Sequence, residues 1–163
     1  MKMQRIANLL MIKNDQVLLL RKPRRGWYVA PGGKVDFGES IYEAALREFA
    51  EETGAIAKSP TLKGAYTMVI VDEQTEAVTD EWMLFTFIST DLDGKPLDET
   101  REGKLEWHPI EALHTLPMAE GDRTNLLFAV EEAGMQFGTF TYTEQYQLIK
   151  EKIQRDQRGA HDE

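Results

Sequence analysis

The sequence contains no cysteine, which excludes both disulfides and thiolate metal sites. That absence agrees with a reducing cytoplasm, the expected location. No apolar run approaches the roughly 20 residues that cross a bilayer as a helix. The opening segment MKMQRIANLLMIKNDQVLLL is broken by Asn8, Lys13, Asn14 and Asp15 and shows no signal-peptide cleavage pattern. No membrane partner is expected. Basic charge is scarce: the net charge is −9, and the one basic cluster is Arg21, Lys22, Arg24 and Arg25. Nucleic-acid binders carry a larger basic footprint, so no DNA partner is expected. An acidic protein that acts on an anionic substrate needs a cation between the two. Internal repeats, low-complexity stretches and interdomain linkers are missing as well. With 42% apolar and 29% charged residues, the chain reads as one globular domain over residues 1–158, with 159–163 a frayed tail.

What is present is a strand-rich pattern with a few helices. Residues 4–13 and 16–21 form two apolar runs around Asn14-Asp15, which predicts a β-hairpin, although Asn-Asp is a weaker turn signal than Asn-Gly. The segment KPRRGWYVAPGGK predicts a loop with a short strand at 27–30. Residues 62–72 and 82–90 are rich in β-branched and aromatic side chains and read as central strands joined by a polar connection. A short strand is expected at 104–108, and one or two helical turns after Pro109. A helix over 122–133 ends at Gly134. One more strand covers 136–142, and a last helix 144–155, with Tyr146, Ile149 and Ile153 on its apolar stripe. The expected class is α/β (α+β), with a mixed sheet.

The densest signal lies in GESIYEAALREFAEETG, residues 38–54, which carries five glutamates. Ser40-x-x-Glu43 is a capping box, and Gly54 suits the left-handed residue that closes a helix. At about 100° per residue, Glu48, Glu51 and Glu52 fall within about 100° of one another on the helix. Tyr42, Leu46 and Phe49 are expected to face the core, with Ala44 and Ala45 leaving the acidic side low and open. Arg47 borders that side and can hold a carboxylate in one rotamer. A solvated acidic face is the commoner fate of such a run. Such a face would intersperse lysines, because like charges at i,i+4 destabilise a helix. There are none from Ile41 to Ile56. A loop with Gly32, Gly33 and Gly38 precedes the helix. Oxygen ligands on a helix beside exposed backbone suit a hard cation, Mg²⁺ or Mn²⁺, shared with substrate phosphates.

Gly33, Glu39 and the run Arg47-Glu48-Phe49-Ala50-Glu51-Glu52-Thr53-Gly54-Ala55 stand at the spacing of the Nudix box. The sequence resembles the Nudix hydrolases, MutT-like members in particular. Every charged and glycine position matches; Phe49 and Ala55 depart mildly at positions that usually carry bulky aliphatics. The box covers 23 of 163 residues. The resemblance implies an α/β/α sandwich. It also implies a Mg²⁺ site at Glu48, Glu51, Glu52 and the Gly32 carbonyl, with Mn²⁺ able to substitute. Arg47 would orient the glutamates, Glu39 would support the loop, and Glu48 is favoured as base. Glu102, in REGKLEW, is the expected extra base or ligand from outside the box, weighed evenly against a plain surface glutamate. The implied activity is a pyrophosphohydrolase in which activated water cleaves a phosphoanhydride bond.

Substrate contacts are expected from Arg5, Lys22, Arg24 and Arg25 toward phosphates, and from Trp27, Tyr28 and Trp82 toward a base. Solubilising charges and core packing are the competing readings for these residues. The segments PRRGWYVAPGGK and LPMAEGD resemble a Bacillus-type MutT-like subgroup that includes an alarmone hydrolase acting on guanosine tetra- and pentaphosphate. A small-molecule purine nucleotide, with guanine favoured, is the expected partner. An 8-oxo-dGTP-type or ordinary nucleoside triphosphate stands first, and (p)ppGpp is the alternative. A non-catalytic nucleotide sensor and an RNA 5′-end pyrophosphohydrolase are further alternatives, disfavoured by the intact box and by the lack of a basic groove. Many family members dimerise, and no residue here decides for or against a homodimer.

Overall fold

A computed structural model describes residues 3–157. Its elements run in chain order as β1 (Gln4–Lys13), β2 (Gln16–Arg21), β3 (Tyr28–Val29), β4 (Gly32–Lys34), α1 (Ile41–Thr53), β5 (Ile56–Lys58), β6 (Thr61–Val71) and β7 (Val78–Ser89). There follow β8 (Asp91–Asp93), β9 (Glu99–Thr100), β10 (Gly103–Pro109), a 3₁₀ turn (Ile110–His114), α2 (Glu120–Glu131), β11 (Met135–Thr143) and β12 (Leu148–Asp156). The expected tail at 159–163 lies outside the described residues.

The main sheet runs β12-β11-β6-β7-β1-β2-β10-β9. It is mixed: β1 pairs with β7 and β6 with β11 in parallel, and the other neighbours are antiparallel. Alternation along β1 and β2 sends Ala7, Leu9, Met11, Leu18 and Leu20 to one face, where Ala44, Ala45 and Phe49 of α1 cover them. Leu10, Val17 and Leu19 go to the other face, beneath Leu126 of α2. The result is an α/β/α sandwich. A third cluster of Tyr66, Met68, Ile70, Leu84, Phe140 and Tyr142 fills the space under β6, β7 and β11.

The feature that positions the site is a split beside β1. This strand pairs with β2 only at the hairpin end, through Ile12–Val17 and Lys13–Gln16. Toward its start the two separate, and β4 enters the gap, pairing Ile6–Lys34, Ala7–Gly33 and Asn8–Gly32. The amide of Leu9 donates to the Pro31 carbonyl at 2.9 Å. Gly32 and Gly33 are thereby held at the centre of the sheet.

Three expectations are corrected. Residues 144–155 are not a helix: Leu148–Asp156 form edge strand β12, paired antiparallel with β11. Tyr142 pairs with Leu148 and Thr141 with Lys150, so Ile149 is the extra residue of a bulge. The bulge resets the alternation, so Leu148 and Ile153 both pack on the third cluster, while Tyr146 and Ile149 are exposed. Pairing with the open edge of β11 overrides the helical composition. The second correction concerns α1. Ala44 and Ala45 are fully buried, whereas Tyr42 is 46% exposed, its ring edge-on to Phe87. The small alanines let α1 approach β1 and β4 closely, and the glutamates ride on that approach. The second central strand also starts earlier than expected, at Val78 rather than 82.

The β1–β2 turn places both Asn14 and Asp15 at positive φ, 53° and 61°. Such a turn favours Asn-Gly, and the left-handed region costs a residue with a Cβ roughly 1 kcal/mol. Asp15→Gly is expected to raise the melting temperature by about 2–4 °C. An unchanged or lower value in a thermal scan would show that the turn carries no such strain.

Candidate active site

Helix α1 begins with the expected capping box. Ser40 Oγ accepts from the Glu43 amide and Glu43 Oε1 accepts from the Ser40 amide, both at 3.1 Å. Gly54 closes it in the left-handed conformation, φ 75°, its amide bonded to the Ala50 carbonyl. Arg47 then gathers the surrounding acids. Its Nε and Nη2 donate to the two oxygens of Glu39 at 2.7 and 2.9 Å. Nη1 donates to Glu48 at 2.8 Å and to Glu51 at 3.2 Å. Nη2 also reaches the Lys34 carbonyl at 3.0 Å, and Asp36 lies 3.4 Å away. The fork holds the Glu39 carboxyl down at about 2. At Gly38, φ is 82°, and the loop turns so that Glu39 Oε1 also receives the Asp36 amide at 3.0 Å.

Glu48 and Glu52 point from α1 onto the two glycines of β4. A Cβ at Gly33 would overlap the Glu48 carboxylate, so a larger residue there would push that carboxylate from its place. Glu52 Oε2 accepts from the Gly32 amide at 3.1 Å. Burial pushes the Glu52 carboxyl up to about 7; the Gly32 amide and the Lys22 charge oppose this, and the charges of Glu48 and Glu102 add to it. Glu102 thus faces the same site from the loop before β10, ion-paired with Lys22 at 3.2 Å. Glu51 is the outermost of the three box glutamates, with 60% of its side chain exposed.

A cavity of about 290 Å³ opens beside these groups, on the α2 face of the sheet. That volume is at the small end of ligand sites. Ile6, Val29, Met68 and Leu84 give it apolar walls, Trp82, Tyr142 and Tyr146 its aromatic ones, and Asn8, Lys22 and Asp122 its polar points. Gly32 and Gly33 line it too, so the pair that receives the glutamates also bounds the cavity. Among the described residues the Asp122 carboxylate has neither a hydrogen-bond donor nor an ion-pair partner, and burial raises it to about 6. Behind it a void of about 10 Å³ is bounded by Asn8, Thr86, Asp122 and Asn125. Asn8 Oδ1, Thr86 Oγ1 and Asn125 Nδ2 are buried without partners.

The sequence-predicted substrate residues therefore separate. Lys22 and Trp82 line the cavity. Tyr28 does not: it is 6% exposed, with its hydroxyl on Glu106 at 2.8 Å and its ring against His108. Its strand turns that side chain into the core beneath β10, which corrects the expected base contact. Arg5 is exposed at the start of β1, outside the cavity lining, and Arg24 is exposed on the loop. Half-buried Trp27 and exposed Arg25 pack on Tyr146. Sequence reasoning missed Asn8, Met68, Asp122, Tyr142 and Tyr146. Only Asn8 left a signal, a polar residue inside an apolar strand.

Residues 2–127 match the NUDIX domain family model, and the chain belongs to that family. It is a Nudix hydrolase, acting on phosphoanhydride substrates. Among relatives, it is 44% identical over 151 residues to YvcI of Bacillus subtilis, an uncharacterised Nudix hydrolase, spanning 93% of this chain and 94% of that protein. The structure of a mutator MutT protein from Bacillus halodurans superposes with a TM-score of 0.89 at 46% identity, covering 93% of this chain and 97% of that one. The human 8-oxo-dGDP phosphatase NUDT18 is 30% identical over 124 residues, 71% of this chain but 34% of its own length. Nudix hydrolases generally use a divalent metal. Among the described residues no three Asp, Glu, His or Cys side chains converge tightly enough to enclose a cation by themselves. The oxygen donors do suit a hard cation that keeps waters and shares phosphate oxygens. Half-buried Glu52 would gain a counter-charge from it. Among the described residues no helix is long and apolar enough to cross a membrane.

The Asp122 carboxyl gives a test of the cavity's polarity. Its folded pKa, about 6, lies above the ordinary 3.8. The folded chain therefore keeps a proton that the unfolded chain releases, and stability falls as pH rises through this window. Asp122→Asn should melt higher than the parent at pH 8, with the difference closing at pH 3.5. Equal melting temperatures at both pH values would place that carboxylate in water.

Proposed function

We propose that the chain is a Mg²⁺-dependent pyrophosphohydrolase of a guanine nucleoside di- or triphosphate derivative, with Mn²⁺ able to substitute. The observation that carries the reading is the double duty of Gly32 and Gly33. Glu48 and Glu52 rest on them from one side, and the cavity lies on the other. A nucleotide with its base in the cavity would run its phosphates past these glycines onto the glutamates.

Glu48, Glu51, Glu52 and the Gly32 carbonyl would hold the cation. Bound there, it would polarise phosphoryl oxygens and offset the charge of the leaving group. Glu48, fixed by Arg47, is the proposed base for the attacking water. Lys22, between the cavity and Glu102, would meet an outer phosphate, and Glu102 would support the site from its loop. Guanine presents adjacent N1–H and N2–H₂ donors, and an ionised Asp122 offers the matching pair of acceptors. Adenine offers no such pair. The phosphatase activity in the name of the human relative concerns an oxidised guanine nucleotide, which supports 8-oxo-dGTP as the first substrate to try.

Phosphate and pyrophosphate release at pH 8 with Mg²⁺ or Mn²⁺ tests this. The panel holds the common nucleoside triphosphates, 8-oxo-dGTP, ADP-ribose, diadenosine polyphosphates and ppGpp. A guanine nucleotide should turn over fastest, and Glu52→Gln should lower kcat/KM by more than about a hundredfold. Nucleotide binding with release no greater than in that variant would make the fold a sensor rather than an enzyme.

A further inference from the structure

The cavity wall farthest along the chain lies beyond the family match, which ends at residue 127. It comes from β11 and from the turn between β11 and β12, as Tyr142 and Tyr146. Tyr146 is 42% exposed and has φ 63°, a conformation that bulky side chains rarely adopt. Its amide bonds to the Thr143 carbonyl at 2.9 Å, and the Gln145 and Gln147 amides both bond to Thr143 Oγ1. The turn is thus fixed with an aromatic ring at the cavity mouth.

A second unusual residue meets it. Arg25, at φ 68°, lays its guanidinium 4.9 Å from the Trp27 ring centre and 5.3 Å from that of Tyr146. Its Nη1 donates to the Gln145 carbonyl at 3.2 Å. Trp27 stands edge-on to Tyr146 at 6.5 Å, and Tyr142 lies at 6.1 Å. Two residues thus sit in sparsely populated backbone regions, each locked by the other's contacts. Strain of this kind survives where surrounding contacts over-determine it, often at ligand clamps.

We propose that Tyr146 is a base-covering specificity residue and that Arg25 positions it, instead of binding phosphate. The inference rests on the reading of the cavity as a base pocket. Trp82 lines the same cavity and supplies a second aromatic surface for the base. The turn between β11 and β12 then makes affinity depend on an aromatic base, because a bare polyphosphate has nothing to set against Tyr146.

The test compares KM and kcat for 8-oxo-dGTP with the inhibition constant of inorganic tripolyphosphate, a base-free competitor. Tyr146→Ala should raise the nucleotide KM roughly tenfold, with kcat within about twofold and the tripolyphosphate constant unchanged. Tyr146→Phe, which keeps the ring, should behave as the parent. Arg25→Ala should move KM in the same direction, and the Arg25→Ala/Tyr146→Ala pair should be no worse than Tyr146→Ala alone. A weaker tripolyphosphate constant in Arg25→Ala would make Arg25 a phosphate ligand and overturn the positioning role. An unchanged KM in Tyr146→Ala, with a raised KM in Trp82→Ala, would keep the base pocket and remove the clamp. No change in either would remove both.

Discussion

The acidic site depends on one guanidinium. Asp36, Glu39, Glu48 and Glu51 all lie within ion-pair distance of Arg47, and without it their mutual repulsion would act alone. The same group reaches the Lys34 carbonyl, so it ties strand β4, the loop after it and helix α1 together. That tie sets where Glu48 lies against Gly33. The pairing of β4 in the split beside β1 sets where Gly33 lies in the sheet. Position is therefore passed from the strands through two glycines and one arginine to the carboxylates.

The glycine pair also separates two kinds of chemistry. On one side are half-buried charges, with Glu52 raised to about 7 by its burial. On the other is a largely apolar cavity with a few polar points. A nucleotide has the same division, a flat aromatic end and a charged end. On the proposed reading, a protein with a net charge of −9 would accept such a ligand by dividing its affinity between a cation at one end and apolar contact at the other.

What was legible in the sequence follows from how local each signal is. Helix α1 announced itself through Ser40, Glu43 and Gly54, all within one segment, and the box resemblance gave the glutamates their expected roles. The β1–β2 hairpin was legible for the same reason. The cavity was not, because Asn8, Met68, Trp82, Asp122 and Tyr146 come from five separate elements that meet only through sheet pairing and the packing of α2. Strand β12 was misread because the bulge at Ile149 broke its alternation and the charged residues around it imitate a solvent-facing helix. The placement of Ala44 and Ala45 was misread because angular position on a helix does not tell which arc a neighbouring strand will occupy; small side chains on α1 marked the closest approach.

Strand β12 also has a consequence for how the molecule keeps to itself. Among the described residues it forms one end of a long sheet, and its outer side there would offer backbone donors and acceptors to an extended chain. Lys150, Glu151, Lys152 and Arg155 crowd this stretch, and the bulge at Ile149 interrupts its flatness. Charges and bulges are the means by which natural sheets discourage edge-to-edge growth. The features that disguised this segment as a helix are therefore also of the kind that discourages edge-to-edge pairing.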